Sequence, residues 1–429
     1  MIGFPDSVQR QSYTRRKGAM TFRLLHTITL LVAFLVIGLS TADGQTLGFR
    51  NEASVSGILS DAPGGDHQVL LRYVPEISSA FSLSPSVEMD FNLSANLWLS
   101  QSTDAEGEWS REDGTEPYRA WVRMSAPRFE LRAGLQKISF GSATVFRPLM
   151  WFDKVDPRDP LQLTEGVWGF LGRFYLPKNI TVWGWALAAE DEGKGWEVIP
   201  SLDNTAEAGG RIQLPFGPGE IAATYHHRRF DLDAIGAIPQ GPFPSRGSES
   251  RYAFDGKWDL EIGLWVEAVF TQQDSEALTD PWTQALSLGM DYTFGLGNGL
   301  SVLWEHIRKE NPTFREVAVP DGSGIGQGDE GPGDPLTSPP SLLNLSSLTV
   351  SYPFGILDQV AMAVYRDWES SQWYRLVEWR RTYDRWRIHL QAFWNPSEGS
   401  YFFSRPGDAM ASSGSLAGRG LQLIVVSSY

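Results

Sequence analysis

Along most of this chain apolar and polar residues alternate one for one. From Val87 to Leu99 the odd positions read Val87, Met89, Phe91, Leu93, Ala95, Leu97 and Leu99, against Glu88, Asp90, Asn92, Ser94, Asn96 and Trp98 at the even ones. A period of two points successive side chains to opposite faces of a β-strand, so one face is oily and the other wet. The pattern recurs through Tyr118–Met124, Phe129–Gln136, Leu286–Phe294 and Trp386–Trp394. These runs are longer than the roughly five or six residues of a usual soluble strand and match the roughly nine to eleven of a tilted strand crossing a bilayer. The sequence therefore predicts an all-β fold, a transmembrane antiparallel up-and-down β-barrel of about eighteen strands, with sixteen as the alternative count.

The connections agree. Short segments rich in turn residues (Pro127-Arg128, Pro177-Lys178-Asn179, Phe216–Gly219, Gly295–Gly299, Pro353-Phe354-Gly355 and Thr382-Tyr383-Asp384) alternate with long ones: Gln101–Glu116, Gly141–Gly166, Ala189–Thr205, Arg228–Ser250, Ile307–Asn344 and Asn395–Gly418. A barrel with both ends on one side of a membrane needs short turns on that side and longer loops on the other. The Gly- and Pro-rich centre of Ile307–Asn344 resembles a linker, but strand alternation continues unchanged on both sides. Residues 45–429 are therefore expected to form one barrel.

The N-terminus adds the compartment. Arg15, Arg16, Lys17 and Arg23 precede the apolar run Ile28–Leu39, and Ser40-Thr41-Ala42-Asp43-Gly44 follows it. This is the layout of a secretory signal, and the run is too short to span a bilayer as a helix. Residues 1–44 are expected to be removed, with translation starting at Met1 or at Met20. An exported barrel of this kind belongs in a bacterial outer membrane.

Composition narrows the chemistry. Lys and Arg total 36 against 51 Asp and Glu, a net charge of −15 in 429 residues, which argues against nucleic acid as a partner. The absence of cysteine removes disulfides, thiolate metal sites and Cys nucleophiles. His26 lies in the signal, and His67, His226, His227, His306 and His389 fall in or beside strands with no nucleophile motif nearby. His226 and His227, being adjacent, point to opposite faces of a strand and cannot share a metal. No catalytic residues, metal or cofactor are expected.

The last strand places Leu421, Leu423, Val425, Ser427 and the terminal Tyr429 on one face. This resembles the C-terminal signature of bacterial outer-membrane barrels, which implies recognition by the barrel assembly machinery. Within Leu131–Leu176, Gly134-Leu135-Gln136 to Gly141, Arg147-Pro148 and Asp153 to Asp156-Pro157 resemble a stretch of porin-like and alginate-export-like outer-membrane families. Gly141–Gly166 is the third long outer loop by strand count, and in general porins that loop folds inward and narrows the lumen. Here it carries Phe146, Leu149, Met150, Trp151, Phe152, Val155 and Leu161, too apolar to float in water. Two arrangements are open: an inward fold, putting Arg147, Asp153, Lys154, Asp156, Arg158 and Asp159 at a pore constriction, or a lid over the mouth.

Arg119, Arg123, Arg132, Arg211, Arg366, Arg375, Arg385 and Arg387 are read on wet faces as lumen-lining residues. Either they face carboxylates such as Glu88, Asp90, Glu130 and Asp291 across the pore and set a transverse field, or they pair with neighbouring carboxylates and fill a polar lumen. Most of the seventeen tryptophans suit an interfacial girdle. Trp121, Trp183 and Trp185 do not, and are the candidates for stacking on a carbohydrate. The expected function is a channel through which small hydrophilic solutes, anionic or carbohydrate, diffuse. The alternative is a barrel that exports or assembles an acidic polysaccharide with a periplasmic partner. Outer-membrane lipid is the expected surroundings, and the sequence leaves the oligomeric state open.

Overall fold

In the computed structural model, residues 46–62, 67–103, 107–153, 158, 160–164, 166–190, 193–235, 244–314, 341–397 and 416–429 can be described. The expected signal segment 1–44 and the centre of Ile307–Asn344 lie outside them. Eighteen strands follow in chain order: β1 Thr46–Ser60, β2 His67–Ser84, β3 Val87–Thr103, β4 Trp109–Ala126, β5 Phe129–Gln136, β6 Val167–Leu176, β7 Ile180–Ala188, β8 Ala206–Phe216 and β9 Gly219–Asp231. They continue as β10 Arg246–Asp259, β11 Gly263–Asp274, β12 Trp282–Phe294, β13 Leu300–Glu310, β14 Leu342–Phe354, β15 Asp358–Asp367, β16 Trp373–Thr382, β17 Trp386–Trp394 and β18 Arg419–Ser428.

Each strand pairs antiparallel with its neighbours in sequence, and β1 pairs with β18 from Glu52↔Ser428 to Ser60↔Gly420. The sheet is therefore closed and leaves no edge with unpaired backbone groups, which is the condition for a β-structure in hydrocarbon. Strand ladders run on unchanged from β13 to β14.

The burial pattern is inverted relative to a soluble protein. On β12 the apolar Leu286, Leu288 and Met290 are 44%, 42% and 45% exposed, whereas the intervening Ser287 is wholly buried. Leu348, Met362, Leu390, Leu421 and Leu423 continue the same exposed belt around the barrel. Such a surface is stable against lipid tails and not against water. The closed, apolar-belted barrel is that of a bacterial outer-membrane protein.

Turns carry the local signals that end the strands. Lys178 and Asn179 sit in left-handed backbone at φ 63° and 59°, and Gly297, Gly299 and Gly355 also take positive φ, closing short hairpins on the side where β1 begins and β18 ends. A further short turn, 260–262 between β10 and β11, has no Gly or Pro and gives little signal in the sequence. The outer connections are shorter than the alternation suggests: β3 runs on to Thr103 and β4 begins at Trp109, where Gln101–Glu116 reads as loop. Above the membrane both faces of a strand meet water, so the ladder Ser100↔Glu112 and Gln101↔Arg111 continues without apolar alternation.

Candidate functional site

The described residues of the connection between β5 and β6, 137–153, 158, 160–164 and 166, lie inside the barrel. Their apolar side chains pack against the inner wall in two clusters. Ile138, Phe140, Leu149, Trp151 and Phe152 meet Leu171, Trp185 and Val269, while Phe146 reaches across to Ile307, Tyr365, Tyr374 and Phe393. The inward fold, not the lid, is the arrangement adopted.

Apolar packing alone would strand the loop's own N–H groups in a water-poor interior, where unpaired donors are costly. Two wall carboxylates take them. Glu267 on β11 accepts from the N–H groups of Ser142 (2.6 Å), Ala143 (2.7 Å) and Leu149 (3.1 Å). Glu305 on β13 accepts from Thr144 (2.5 Å), Val145 (2.7 Å) and Phe146 (2.6 Å), and also from the Trp265 indole at 2.8 Å. Gly141 makes the approach possible: its φ is +96°, and a Cβ there would lie 2.4 Å from Glu267 Oε1. In the sequence Glu267 and Glu305 are single acids at inward positions of otherwise ordinary strands, and nothing local marks them as loop anchors.

The connection between β7 and β8 also enters. Arg228 on β9 forms a two-pronged pair with Glu249 on β10 (2.7 and 3.1 Å), and Arg251 bridges Glu197 (2.9 Å) to Glu249 (2.6 Å). Lys194 reaches Glu207 at 2.6 Å, and His226, buried under Trp151 and Phe152, faces the same carboxylate at 3.2 Å. The first loop thus reaches from β6 to β17, and the second lies against β8 to β10.

The wall of β3 to β6 carries three of the eight arginines read from the sequence. Arg119, Trp121 and Arg123 project inward from β4, in register with Ser94, Asn92 and Asp90 of β3. Arg123 meets Asp90 at 2.9 Å, Arg132 meets Glu130 at 3.0 Å, and Arg173 lies 3.7 Å from Glu130. Arg119 donates to the Thr164 carbonyl and hydroxyl oxygens, both at 3.0 Å, tying the loop's far end to β4. Arg132 and Arg123 stand 4.7 and 5.8 Å from the Trp121 ring, and Arg173 stands 4.0 Å from the Trp183 ring. Trp185 is buried in the loop packing with its indole N–H on His226, so it has no free face for a sugar. Arg211, also inward, is locked to Asp255 at 2.6 and 2.8 Å, and Arg387 holds Glu52 at 2.7 Å. The arginines thus pair with adjacent carboxylates and do not face them across the pore.

Three arginines are not in the lumen. Arg366 aligns with Ser346 and Trp373, and Arg375 with Val364 and Trp394, all outward-facing positions. A strand's inward set is fixed by its register, and Tyr365, Tyr374 and Leu376 occupy it here. Arg385 belongs to the turn between β16 and β17, its guanidinium 4.9 Å from the Tyr429 ring.

In the inward loop, Arg147 donates to Ser139 Oγ at 2.6 Å, and its carbonyl accepts from the Trp196 indole at 2.6 Å. Asp153 is 1% exposed, with Lys137 Nζ at 3.6 Å. Burial raises the Asp153 carboxyl above its ordinary value against the pull of Arg147 and Lys137, and burial lowers the Lys137 ammonium. Arg158 is buried, and its carbonyl accepts from Gln391 on β17 at 3.2 Å. Lys154, Asp156 and Asp159 lie outside the described residues.

The fold is similar along nearly its whole length to solved outer-membrane proteins of low identity. OmpF of Salmonella typhi, in complex with daunomycin, shares 12% identity over 90% of this chain and 98% of its own, with a TM-score of 0.47. Acinetobacter baumannii OccAB4 shares 7% over 91% and 99%, at 0.49, and an anion-selective porin from Comamonas acidovorans 13% over 90% and 100%, at 0.42. No family model and no curated protein matches the sequence. The eighteen-strand closure and lipid-facing belt make this chain an outer-membrane β-barrel.

Proposed function

We propose that the barrel is a diffusion channel for small hydrophilic solutes, narrowed by loop 137–166 and biased toward anions. The observation that carries this reading is an asymmetry of exposure along the remaining passage. Lys137 is 41% exposed over an Asp153 that is 1% exposed, and Arg123 is 32% exposed beside Asp90 at 13% and Glu130 at 11%. In each of these pairs the base meets the water and the acid is covered. Low-dielectric walls strengthen the field of those guanidinium and ammonium groups in a narrow aqueous path. Carbohydrate remains compatible through the partly exposed faces of Trp121 and Trp183, each already stacked by arginine. Diffusion of this kind needs no covalent step and no cofactor. Export of a polysaccharide, the other reading of the sequence, calls for a wide lumen, whereas inward loops pack into this one. In planar bilayers, Arg123→Gln with Lys137→Gln is expected to move the reversal potential in a KCl gradient toward cation preference. An unmoved potential would remove these residues from the selectivity mechanism.

A further inference from the structure

Arg366 on β15, Arg375 on β16 and Arg419 on β18 face outward at the outer rim, with Trp394 of β17 between the last two. Arg366 is in register with Trp373, and Arg375 and Arg419 both with Trp394. Arg366 and Arg375 share one indole, at 4.9 and 6.0 Å from the Trp373 ring, and Arg366 also stands 5.5 Å from the Trp368 ring. None of the three forms an ion pair with a described carboxylate; the Arg366 guanidinium donates to the Ser371 carbonyl, and Asp61 accepts the backbone N–H of Arg419 at 2.6 Å. Two like charges over one exposed ring, without a counter-ion, leave room for an anion between them.

Their depth sharpens the point. On β16 the outward residues are Arg375, Val377, Trp379 and Arg381. Six residues at ~3.3 Å each, tilted by roughly 40°, span only ~15 Å of depth, against the ~25 Å apolar band of such barrels. Arg381 is anchored at the other end by Asp358 at 3.6 Å. Arg375 is therefore drawn to the hydrocarbon edge, where a lipid-facing cation is retained when it has an anionic partner.

We propose that the outward rim of β14 to β18 binds the phosphorylated headgroup of an outer-leaflet glycolipid, Arg366 and Arg375 holding a phosphate above Trp373 while Arg419 and Trp394 extend the contact. This rests on the outer-membrane placement of the barrel and is independent of what passes through it. The test uses the refolded full barrel in detergent and native mass spectrometry with bisphosphorylated lipid A, its dephosphorylated form, and inorganic phosphate as competitor. At least tenfold greater retention of the phosphorylated lipid is expected, reduced to the dephosphorylated level in Arg366→Gln/Arg375→Gln, with single-channel conductance unchanged. Equal retention of both lipids by the unaltered barrel would overturn the site, whether or not the variant folds. Displacement by millimolar phosphate would make it a soluble-anion site instead. Loss of an oligomer in the variant with lipid retention intact would make this face a protein interface, and both results contradict the proposal. A barrel that conducts but does not discriminate the lipids refutes this inference alone, whereas one that discriminates but does not conduct refutes the channel reading alone.

Discussion

Glu267 and Glu305 stand two strands apart on the inner wall and together accept six backbone N–H groups from residues 142–149. A loop that must cross a lumen cannot satisfy its own donors, so the wall supplies side-chain acceptors. Leaving such a buried donor unpaired costs about 1–3 kcal/mol. Either carboxylate alone should hold the loop, and the loss of both should release it. Glu267→Gln/Glu305→Gln is expected to show larger and noisier single-channel conductance, approaching that of a barrel lacking residues 144–163. If neither the double variant nor the deletion changes conductance, the loop does not constrict the pore.

Acidification should strengthen anion preference. The Asp153 carboxyl is raised above its ordinary value by burial, so it takes up a proton as pH falls through that raised value while Arg147 and Lys137 stay charged. The passage then loses a negative charge and gains net positive character. The folded barrel binds that proton more tightly than the unfolded chain, so stability also rises as pH falls through the folded value and levels off below the unfolded one. Asp153→Asn should show the acid-side selectivity at neutral pH and lose the step. At the alkaline end Lys137, lowered by burial, should discharge before an ordinary lysine does and weaken anion preference. Reversal potentials across the pH range read both arms.

Arg228→Met should be far more damaging than its volume suggests. The side chain is 1% exposed and neutralises Glu249 and Glu197, which would remain buried with one cation, Arg251, between them. Breaking a buried pair by removing one partner costs about 3–5 kcal/mol. Thermal unfolding should fall clearly in this variant, while Arg229→Met, at an outward position on the same strand, should leave it near the unaltered value.

Removal of Tyr429 should impair closure. Tyr429 and Asn51 exchange backbone hydrogen bonds at 2.9 and 3.0 Å, extending the β1–β18 ladder to the last residue, and Arg385 caps the ring. Deletion is expected to lower the folded fraction seen by heat-dependent gel migration. Arg385→Ala, which loses a cation–π contact of about 0.5–1 kcal/mol, should lower it less.

The strand count and the lipid-facing set were legible because a barrel in lipid imposes strict alternation: Leu286, Leu288 and Met290 could face only one way. That the third loop is buried was legible from its apolar content, since Phe146 and Trp151 had to be covered somewhere, but apolar content alone did not separate an inward fold from a lid. The arginines were harder. Arg366 and Arg375 lie near strand ends, where alternation fades at the rim and polar residues occupy both faces. Parity read from Arg366 or Arg375 alone therefore assigns the wrong face, and the correct one depends on pairing with Ser346 and Val364. Glu267 and Glu305 were hidden for a different reason. Their partners are backbone groups over a hundred residues away in the chain, so no local pattern connects them.

The most direct test of the channel account is the reversal potential of the unaltered barrel, inserted in a planar bilayer under a KCl gradient at neutral pH. Stepwise conductance with a potential whose sign shows chloride crossing more readily than potassium is the predicted result. Potassium preference, or a folded barrel that does not conduct, would contradict it.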